Sequence, residues 1–172
     1  MDRLESLIRE VPDFPRPGIS FKDFTPLLAD PAGLALAVEL MANPYRGKRI
    51  ELVVGAESRG FIFGIAIAQA ISAGFVPLRK PGKLPRKVMG VDYALEYGTD
   101  RLEMHADAVA PGQRILIVDD LLATGGTMLA ACQLATNLKA EIVGCTVLIE
   151  LAFLGGRERL KPYGELHSVI KY

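Results

Sequence analysis

The residues best suited to chemistry are two adjacent carboxylates, Asp119 and Asp120, and the turn that follows them. They come directly after an apolar strand predicted over residues 114–118, and a helix is predicted over 128–138. Between them lies a turn of small and hydroxyl-bearing residues, 123–127. Unpaired N–H groups and the helix dipole favour an anion at such a helix start. Because carboxylates repel phosphate, the pair must bind something else, such as sugar hydroxyls or metal-bound water. The run therefore predicts a site for a ribose phosphate.

A simpler interpretation makes this run an ordinary connection from strand to helix, with Thr124 as the helix cap. Capping accounts for only one or two of its residues and leaves the others unexplained. A P-loop does not fit, because no Gly-Lys-Ser/Thr follows the glycines. A dinucleotide-binding Gly-x-Gly-x-x-Gly turn is also absent from the sequence.

A second candidate segment, residues 57–61, joins a predicted strand to a predicted helix. Arg59 lies near the helix N-terminus, where a cation is unfavourable unless an anion joins it. Its planar guanidinium suits phosphate oxygens, and Gly60 permits close approach of the backbone. The alternative is a surface arginine paired with Glu57.

The most basic segment of the chain is residues 79–87, with five basic side chains and no acidic one. Its prolines and glycine disfavour regular structure. Taken alone, this composition predicts a solvated loop. Beside a phosphate site, it predicts a mobile lid that excludes water from the reacting centre.

Strands and helices alternate around these segments. Helices are predicted over residues 4–11, 31–41, 60–73 and 128–138, with Asp30 capping the start of the second and Gly74 closing the third. Strands are predicted over residues 51–54, 75–78, 114–118 and 141–151. This alternation predicts a parallel sheet covered by helices, with an inserted hairpin over 91–97 and 101–105. Ligands of such sheets bind beyond the carboxyl ends of the strands, where all three candidate segments fall.

Size and charge limit the class of protein. The chain has 172 residues, half of them hydrophobic, which fits one globular domain. Its 20 basic and 20 acidic residues argue against a dedicated nucleic-acid binder. Cys132 and Cys145 match no metal spacing and predict buried free thiols in a reducing cytoplasm. The charged N-terminus is no signal peptide, and the apolar stretch 61–73 is too short to span a membrane.

The run 118–127, Val-Asp-Asp-Leu-Leu-Ala-Thr-Gly-Gly-Thr, resembles the phosphoribosyl pyrophosphate motif of type I phosphoribosyltransferases, and most closely that of the adenine-specific members. Segments 14–19, 57–61, 79–85 and 95–98 also resemble that family's segments, in the same order. The resemblance implies one α/β domain over 1–172, with a central, mostly parallel sheet flanked by helices and a β-hairpin lid loop. Residues 1–30 and the C-terminal segment would contribute to a small base-binding hood.

The resemblance also implies an activity. Such an enzyme transfers the phosphoribosyl group of phosphoribosyl pyrophosphate to adenine, giving AMP and pyrophosphate in purine salvage. The family implies a cytoplasmic homodimer and a Mg²⁺ cofactor. Because His and Cys form no cluster, Mg²⁺ is expected to arrive mainly with the diphosphate. His105 and His167 are expected to be structural.

The resemblance assigns a role to each group of polar residues. Asp119 and Asp120 would hold the ribose hydroxyls, directly or through hydrated Mg²⁺. The 5′-phosphate would bind to Ala123, Thr124, Gly125, Gly126 and Thr127, and the pyrophosphate to Ser58, Arg59, Arg79, Lys80 and Lys83. Glu96 matches the family's acid/base residue near purine N7, and Arg59 and Lys83 would stabilise the leaving pyrophosphate.

The base pocket is expected from the segment 19–22 together with Leu151. Phe21 and Leu151 would sandwich the purine, although Phe21 also suits plain core packing. Ser20 and Lys22 stand where other members often carry an apolar residue and an arginine. If backbone groups recognise the base, these differences change little.

Two other functions remain open from the sequence. A transferase for a 6-oxo purine would need a Lys or Asp side chain at the base, and Lys22 is the candidate. A regulator that senses phosphoribosyl pyrophosphate would need a DNA-binding module or a wide basic face, which the balanced charge does not favour.

Overall fold

The computed structural model describes residues 2–94 and 98–172. Its helices are α1 (Asp2–Glu5), α2 (Thr25–Ala29), α3 (Pro31–Ala42), α4 (Gly60–Ala70) and α5 (Gly126–Asn137). Its strands are β1 (Arg9–Val11), β2 (Phe21–Asp23), β3 (Leu52–Ala56), β4 (Gly74–Leu78), β5 (Val88–Ala94), β6 (Thr99–His105), β7 (Arg114–Leu122), β8 (Glu141–Glu150) and β9 (Leu166–Lys171). Short 3₁₀ segments cover Asn43–Tyr45, Ala152–Leu154 and Gly156–Tyr163.

The central sheet has the strand order β4-β3-β7-β8-β9, with every neighbouring pair parallel. Strand β7 lies in the middle and is buried along most of its length. Its side chains alternate between two cores, because successive residues of a strand face opposite sides of the sheet. Ile115 and Ile117 pack with α5, whereas Leu116 and Val118 pack with α3 and α4. This confirms the predicted parallel sheet with helices on both faces.

Two antiparallel pairs lie outside the central sheet. Strands β5 and β6 form the predicted hairpin, which packs on the α5 side through residues such as Leu102 and Met104. Strands β1 and β2 pair near the N-terminus. Lys22 of β2 lies 4.3 Å from the ring centroid of Tyr172, so the N- and C-terminal segments meet. That they form a base-binding hood stays a prediction.

The first predicted helix is wrong in extent. The helix covers only Asp2–Glu5, and residues 9–11 form a strand instead. The apolar residues at the start of this segment are explained by packing rather than by a long helix, since Leu4 is fully buried against the core formed with α3 and α4. Beyond it, backbone pairing of β1 with β2 outweighs the local helical pattern.

Two predicted ends are also corrected. Helix α4 ends at Ala70 rather than at residue 73. The left-handed conformation expected of Gly74 is taken by Ser72, with φ of 59°, and Gly74 instead begins β4. Strand β7 continues four residues beyond the predicted end, because its pairing with β8 runs on to Leu122 and Glu150. The acidic pair therefore lies inside the strand. By contrast, the Asp30 cap is confirmed, since its carboxylate accepts a hydrogen bond from the backbone N–H of Gly33 at 2.6 Å.

Candidate active site

A cavity of about 260 Å³ opens at the carboxyl ends of β3 and β7. It unites two of the three candidate segments. The residues that line it are Glu57, Ser58, Arg59 and the continuous run from Asp119 to Met128. The parallel register of β3 and β7 brings these segments together, because it aligns the ends of both strands on one edge of the sheet.

Residues 123–127, called the glycine turn below, lead from β7 into α5. Gly125 is the N-cap residue, with φ of 83°, and no side chain caps the helix. The interpretation of Thr124 as an ordinary cap is therefore wrong. Among the described residues, none accepts a hydrogen bond from the backbone N–H groups of residues 124–127. These donors are available to an anion, and the dipole of α5 favours it.

The acidic pair, Asp119 and Asp120, is almost completely buried at the floor of the cavity, at 8% and 4% exposure. Asp119 Oδ1 accepts a hydrogen bond of 2.9 Å from the backbone N–H of Asp120. Burial, followed by the neighbouring charge of Asp120, raises the pKa of Asp119 well above its ordinary value. Gly60 makes room for this carboxylate, because a Cβ there would lie 2.8 Å from Asp119 Oδ1.

Arg59 pairs with the acidic pair rather than with Glu57, so its interpretation as a surface partner of Glu57 is wrong. Its Nε lies 2.7 Å from Asp120 Oδ2. The contact is an ion pair without hydrogen-bond geometry, and Oδ2 accepts no hydrogen bond from the described residues although it is buried. The guanidinium also lies 5.4 Å from the ring centroid of Phe21. The site thus has a cation at its rim and, at its floor, a carboxylate oxygen that contacts this cation but accepts no hydrogen bond from the described residues.

Two of the three other predicted cations, Arg79 and Lys80, lie beside the cavity and pair with carboxylates. Arg79 contacts Glu57 through Nε and Nη2, at 3.0 and 3.3 Å, and hydrogen bonding to Arg79 lowers the pKa of Glu57. The ammonium of Lys80 pairs with Asp100 and lies 3.1 Å from the hydroxyl of Tyr93. Lys83 is exposed in the adjoining loop. Of these cations, none lines the cavity itself in the described part of the chain.

The expected base-binding residues do not lie together. Phe21 lines a second cavity, whereas Leu151 lies in the C-terminal part of the chain. Phe21 and Arg59 both line this second cavity, of about 170 Å³, together with Phe24 and Ile62. The side chains of Ser20 and Lys22 are bound to Glu10.

The structure does not bring Phe21 and Leu151 into one cavity. Leu151 follows β8, and its backbone N–H donates to the carbonyl of Leu122 at 2.9 Å. It lines neither cavity. Glu96, the predicted acid/base residue, lies outside the described residues.

Sequence reasoning missed residues of the C-terminal 3₁₀ segment (Gly156–Tyr163). Gly156 is packed against the glycine turn, and Arg159 donates a hydrogen bond of 3.0 Å to the carbonyl of Thr124. The paired glycines at 155 and 156, followed by charged residues, are the signal that marks a close approach of two backbones.

Residues 25–168 match the family model of the phosphoribosyl transferase domain. An adenine phosphoribosyltransferase of Methylococcus capsulatus is 54% identical over 172 residues, which is all of both chains. One of Rhodopirellula baltica is 55% identical over 165 residues, covering 96% of this chain and 80% of the relative. The chain belongs to the adenine phosphoribosyltransferase family. The resemblance seen in the motifs is thereby confirmed.

Solved structures of adenine phosphoribosyltransferases share the fold. That of Rhodothermus marinus is 51% identical, with a TM-score of 0.94 and coverage of 99% of this chain and 97% of that one. That of Saccharomyces cerevisiae is 35% identical, with a TM-score of 0.92 and coverage of 98% and 97%; it was solved with an imino-altritol bisphosphate and adenine. The predicted fold class is confirmed. No helix in the described residues is long and apolar enough to cross a membrane.

Replacing Gly60 by alanine tests whether the position of Asp119 governs ligand binding. The new methyl group would press on Asp119 Oδ1 and on the carbonyl of Val118. We expect ribose 5-phosphate to bind about tenfold more weakly, the loss of one hydrogen bond to a charged group. Isothermal titration calorimetry measures this affinity.

Gly64→Ala is the matched control in the same helix. Its Cβ would meet the ring of Phe75 at 2.6 Å, away from the acidic pair. Both variants are expected to lose stability, but only Gly60→Ala should lose affinity. Equal affinities in the two variants would contradict the role given to Gly60.

The raised pKa of Asp119 predicts that its charge destabilises the free protein at neutral pH. Above its ordinary pKa of 3.8, the unfolded chain releases a proton that the folded chain retains, so stability falls as pH rises between the two pKa values. Asp119→Asn keeps the hydrogen bond to Asp120 and removes the charge. We expect its melting temperature at pH 7 to rise by about 2–4 °C.

Thermal melts of Asp119→Asn and the wild type between pH 4 and pH 8 check this. The difference in melting temperature between the variant and the wild type should shrink as the pH falls towards 4, close to the ordinary pKa of 3.8, because the unfolded chain then retains part of the proton that the folded chain holds. A variant that melts below the wild type at pH 7 would show that the charge does not destabilise the fold.

Proposed function

We propose that this cavity binds phosphoribosyl pyrophosphate and that the chain transfers its phosphoribosyl group to adenine, releasing AMP and pyrophosphate. The observation that carries the proposal is that two opposite kinds of binding group line one cavity. The N–H donors of the glycine turn, which have no acceptor among the described residues, lie in the same cavity as the buried acidic pair. Only a ligand with both an anionic and a hydroxyl-bearing part satisfies both groups.

The 5′-phosphate belongs in the glycine turn, and the ribose belongs over the acidic pair. Asp120 Oδ2 is buried and accepts no hydrogen bond from the described residues, so it suits a ribose hydroxyl as its missing donor. The negative charge of the pair also favours the cation-like sugar that forms when the bond from C1′ to the pyrophosphate breaks.

The residues present fit Mg²⁺ bound through the substrate. Within the described residues, no group of three or more His, Cys, Asp or Glu side chains is arranged to hold a metal. The acidic pair would offer hard oxygen ligands, including Asp120 Oδ2, which accepts no hydrogen bond from the described residues. Mg²⁺ commonly binds one or two carboxylates together with phosphates and water. When bound, the ion neutralises charge on the diphosphate.

The leaving pyrophosphate is the natural new partner of the cations at the rim. Arg59 is 46% exposed, and it can exchange its ion pair with Asp120 for pyrophosphate oxygens. Ser58 lines the cavity beside it. Arg79, Lys80 and Lys83 lie in the segment 79–87 that the sequence predicts as a lid, and their charges would stabilise the same group.

In the transfer, the bond from C1′ to a pyrophosphate oxygen breaks and a bond from C1′ to N9 of adenine forms. The purine must lose a proton as N9 attacks. We assign this proton to the carboxylate of Glu96 on the basis of the family motif. The names of the relatives favour adenine as the base. Backbone groups of residues 19–22, together with the ring of Phe21, would bind it.

The two alternative functions have less support. Lys22, the side chain suited to a 6-oxo purine, lies 3.3 Å from Glu10 and over the ring of Tyr172. Its charge is thus already compensated. A regulator that senses phosphoribosyl pyrophosphate would need a DNA-binding module or a wide basic face, which the 20 basic and 20 acidic residues of the chain do not favour.

A homodimer in the cytoplasm completes the proposal. Helices α3 and α4 pack together and expose large apolar side chains at Leu36, Ile62 and Ile65, which a second copy would cover. Cys132 and Cys145 are buried free thiols whose sulfurs lie 3.7 Å apart without a bond, in keeping with a reducing compartment.

Turnover assays of the purified protein with Mg²⁺, phosphoribosyl pyrophosphate and single bases test the function. We expect AMP from adenine and little product from guanine or hypoxanthine. Glu96→Gln should lower kcat about 10²–10⁴-fold, the usual contribution of a general base, and leave the affinity for phosphoribosyl pyrophosphate nearly unchanged. Turnover of guanine in place of adenine would contradict the base assignment, and full activity of the variant would remove Glu96 from its role.

A further inference from the structure

The C-terminal 3₁₀ segment lies directly against the outer side of the glycine turn. Gly156 is buried, and a Cβ on it would lie 2.3 Å from the carbonyl oxygen of Ala123 and 2.9 Å from the backbone nitrogen of Gly125. Gly125 has a similar constraint, since a Cβ there would lie 2.9 Å from the carbonyl oxygen of Gly156. The two backbones are therefore in contact, at a distance that only glycine permits.

Arg159 adds a directed contact to this packing. Its Nη1 donates a hydrogen bond of 3.0 Å to the carbonyl oxygen of Thr124. The Thr124–Gly125 peptide is not among the cis bonds of the described residues, so its C=O and N–H point in opposite directions. When Arg159 holds the carbonyl, the N–H of Gly125 points away from Arg159.

The orientation of this peptide matters because glycine allows it to rotate. Gly125 has a φ of 83°. Glycine adopts positive and negative φ values at similar energetic cost, so neither orientation of the peptide is strongly favoured by the backbone itself. A rotated peptide would turn the carbonyl oxygen of Thr124 towards the bound phosphate and repel it. To keep the N–H of Gly125 directed at the phosphate, another group must hold the carbonyl oxygen of Thr124 on the side away from the phosphate.

The C-terminal 3₁₀ segment is itself anchored to the central sheet. Arg157 donates from Nε to Glu150 Oε1 at 2.8 Å, from Nη1 to the carbonyl of Leu166 at 2.7 Å, and from Nη2 to Ser168 Oγ at 3.0 Å. Glu150 is buried at the end of β8, in register with Leu122 at the end of β7. The 3₁₀ segment is thus anchored at the end of β8, and the glycine turn follows the end of β7, the strand paired with it.

We propose that Arg159 and Gly156 are positioning residues for phosphate binding. Arg159 holds the Thr124–Gly125 peptide so that its N–H faces the ligand, and Gly156 supplies the close backbone support that keeps the turn in place. The inference rests on the proposed function, because it assigns the glycine turn to the 5′-phosphate. Neither residue needs to touch the substrate.

The test compares Arg159→Met and Gly156→Ala with two controls from the same segment. Lys161→Met removes an exposed charge that pairs with Glu158 rather than with the turn. Gly155→Ala strains a residue with φ of 67° but places its Cβ in open space. Calorimetry measures the binding of AMP, which carries the 5′-phosphate, and of Mg²⁺-pyrophosphate, which does not use the glycine turn.

We expect Arg159→Met to bind AMP about tenfold more weakly, with pyrophosphate affinity unchanged within about twofold. Gly156→Ala should weaken AMP binding at least as much, and both controls should match the wild type. The ratio of wild-type to Arg159→Met affinity should stay constant between 50 and 500 mM salt, because the effect is not a long-range charge.

Other outcomes overturn the proposal. Unchanged AMP affinity in Arg159→Met removes the positioning role, and equal losses for AMP and pyrophosphate show general damage to the fold. A ratio that falls with salt shows a direct charge contact with phosphate. If the wild type binds pyrophosphate but not AMP, the proposed function fails as well. Because Arg159 is exposed, its variant keeps the test valid even if Gly156→Ala does not fold.

Discussion

The burial of two adjacent carboxylates at the end of the middle strand is the constraint on which the rest of the site depends. Asp119 and Asp120 lie where β7 runs into the glycine turn, and the fold compensates their charge only in part. Burial raises the pKa of Asp119, and no described residue donates a hydrogen bond to the buried Oδ2 of Asp120. Such groups are costly in a free protein and useful in one whose ligand supplies the missing donors.

The free protein meets its charges with internal partners. Arg59 pairs with Asp120, Arg79 with Glu57, and Lys80 with Asp100. Three of the four cations assigned to the pyrophosphate are therefore paired with carboxylates, whereas Lys83 is exposed in its loop. Binding becomes an exchange of partners: the acidic pair gains hydroxyl donors or a metal ion while the cations turn to the pyrophosphate.

The sequence predicted those parts of the fold that depend on interactions between residues close together in the chain. The Asp30-Pro31 cap, the apolar core of β7 and the glycine turn all follow from neighbouring residues. The β1–β2 pairing does not, because Arg9–Val11 becomes a strand only through contact with Phe21–Asp23. The extension of β7 through the acidic pair depends likewise on β8. The contact from Arg159 to Thr124 spans 35 residues along the chain, so no local window contains it. Glu96 rests on its motif alone.

The most direct test of the account asks whether the glycine turn and the acidic pair act as one site. Calorimetric titration of the wild type with phosphoribosyl pyrophosphate and Mg²⁺, and separately with ribose and with inorganic phosphate, measures this. The account predicts saturable binding of the sugar diphosphate, one molecule per chain, at concentrations where ribose and phosphate alone produce no measurable heat. Binding of phosphate alone with equal affinity, or no heat from the sugar diphosphate, would contradict it.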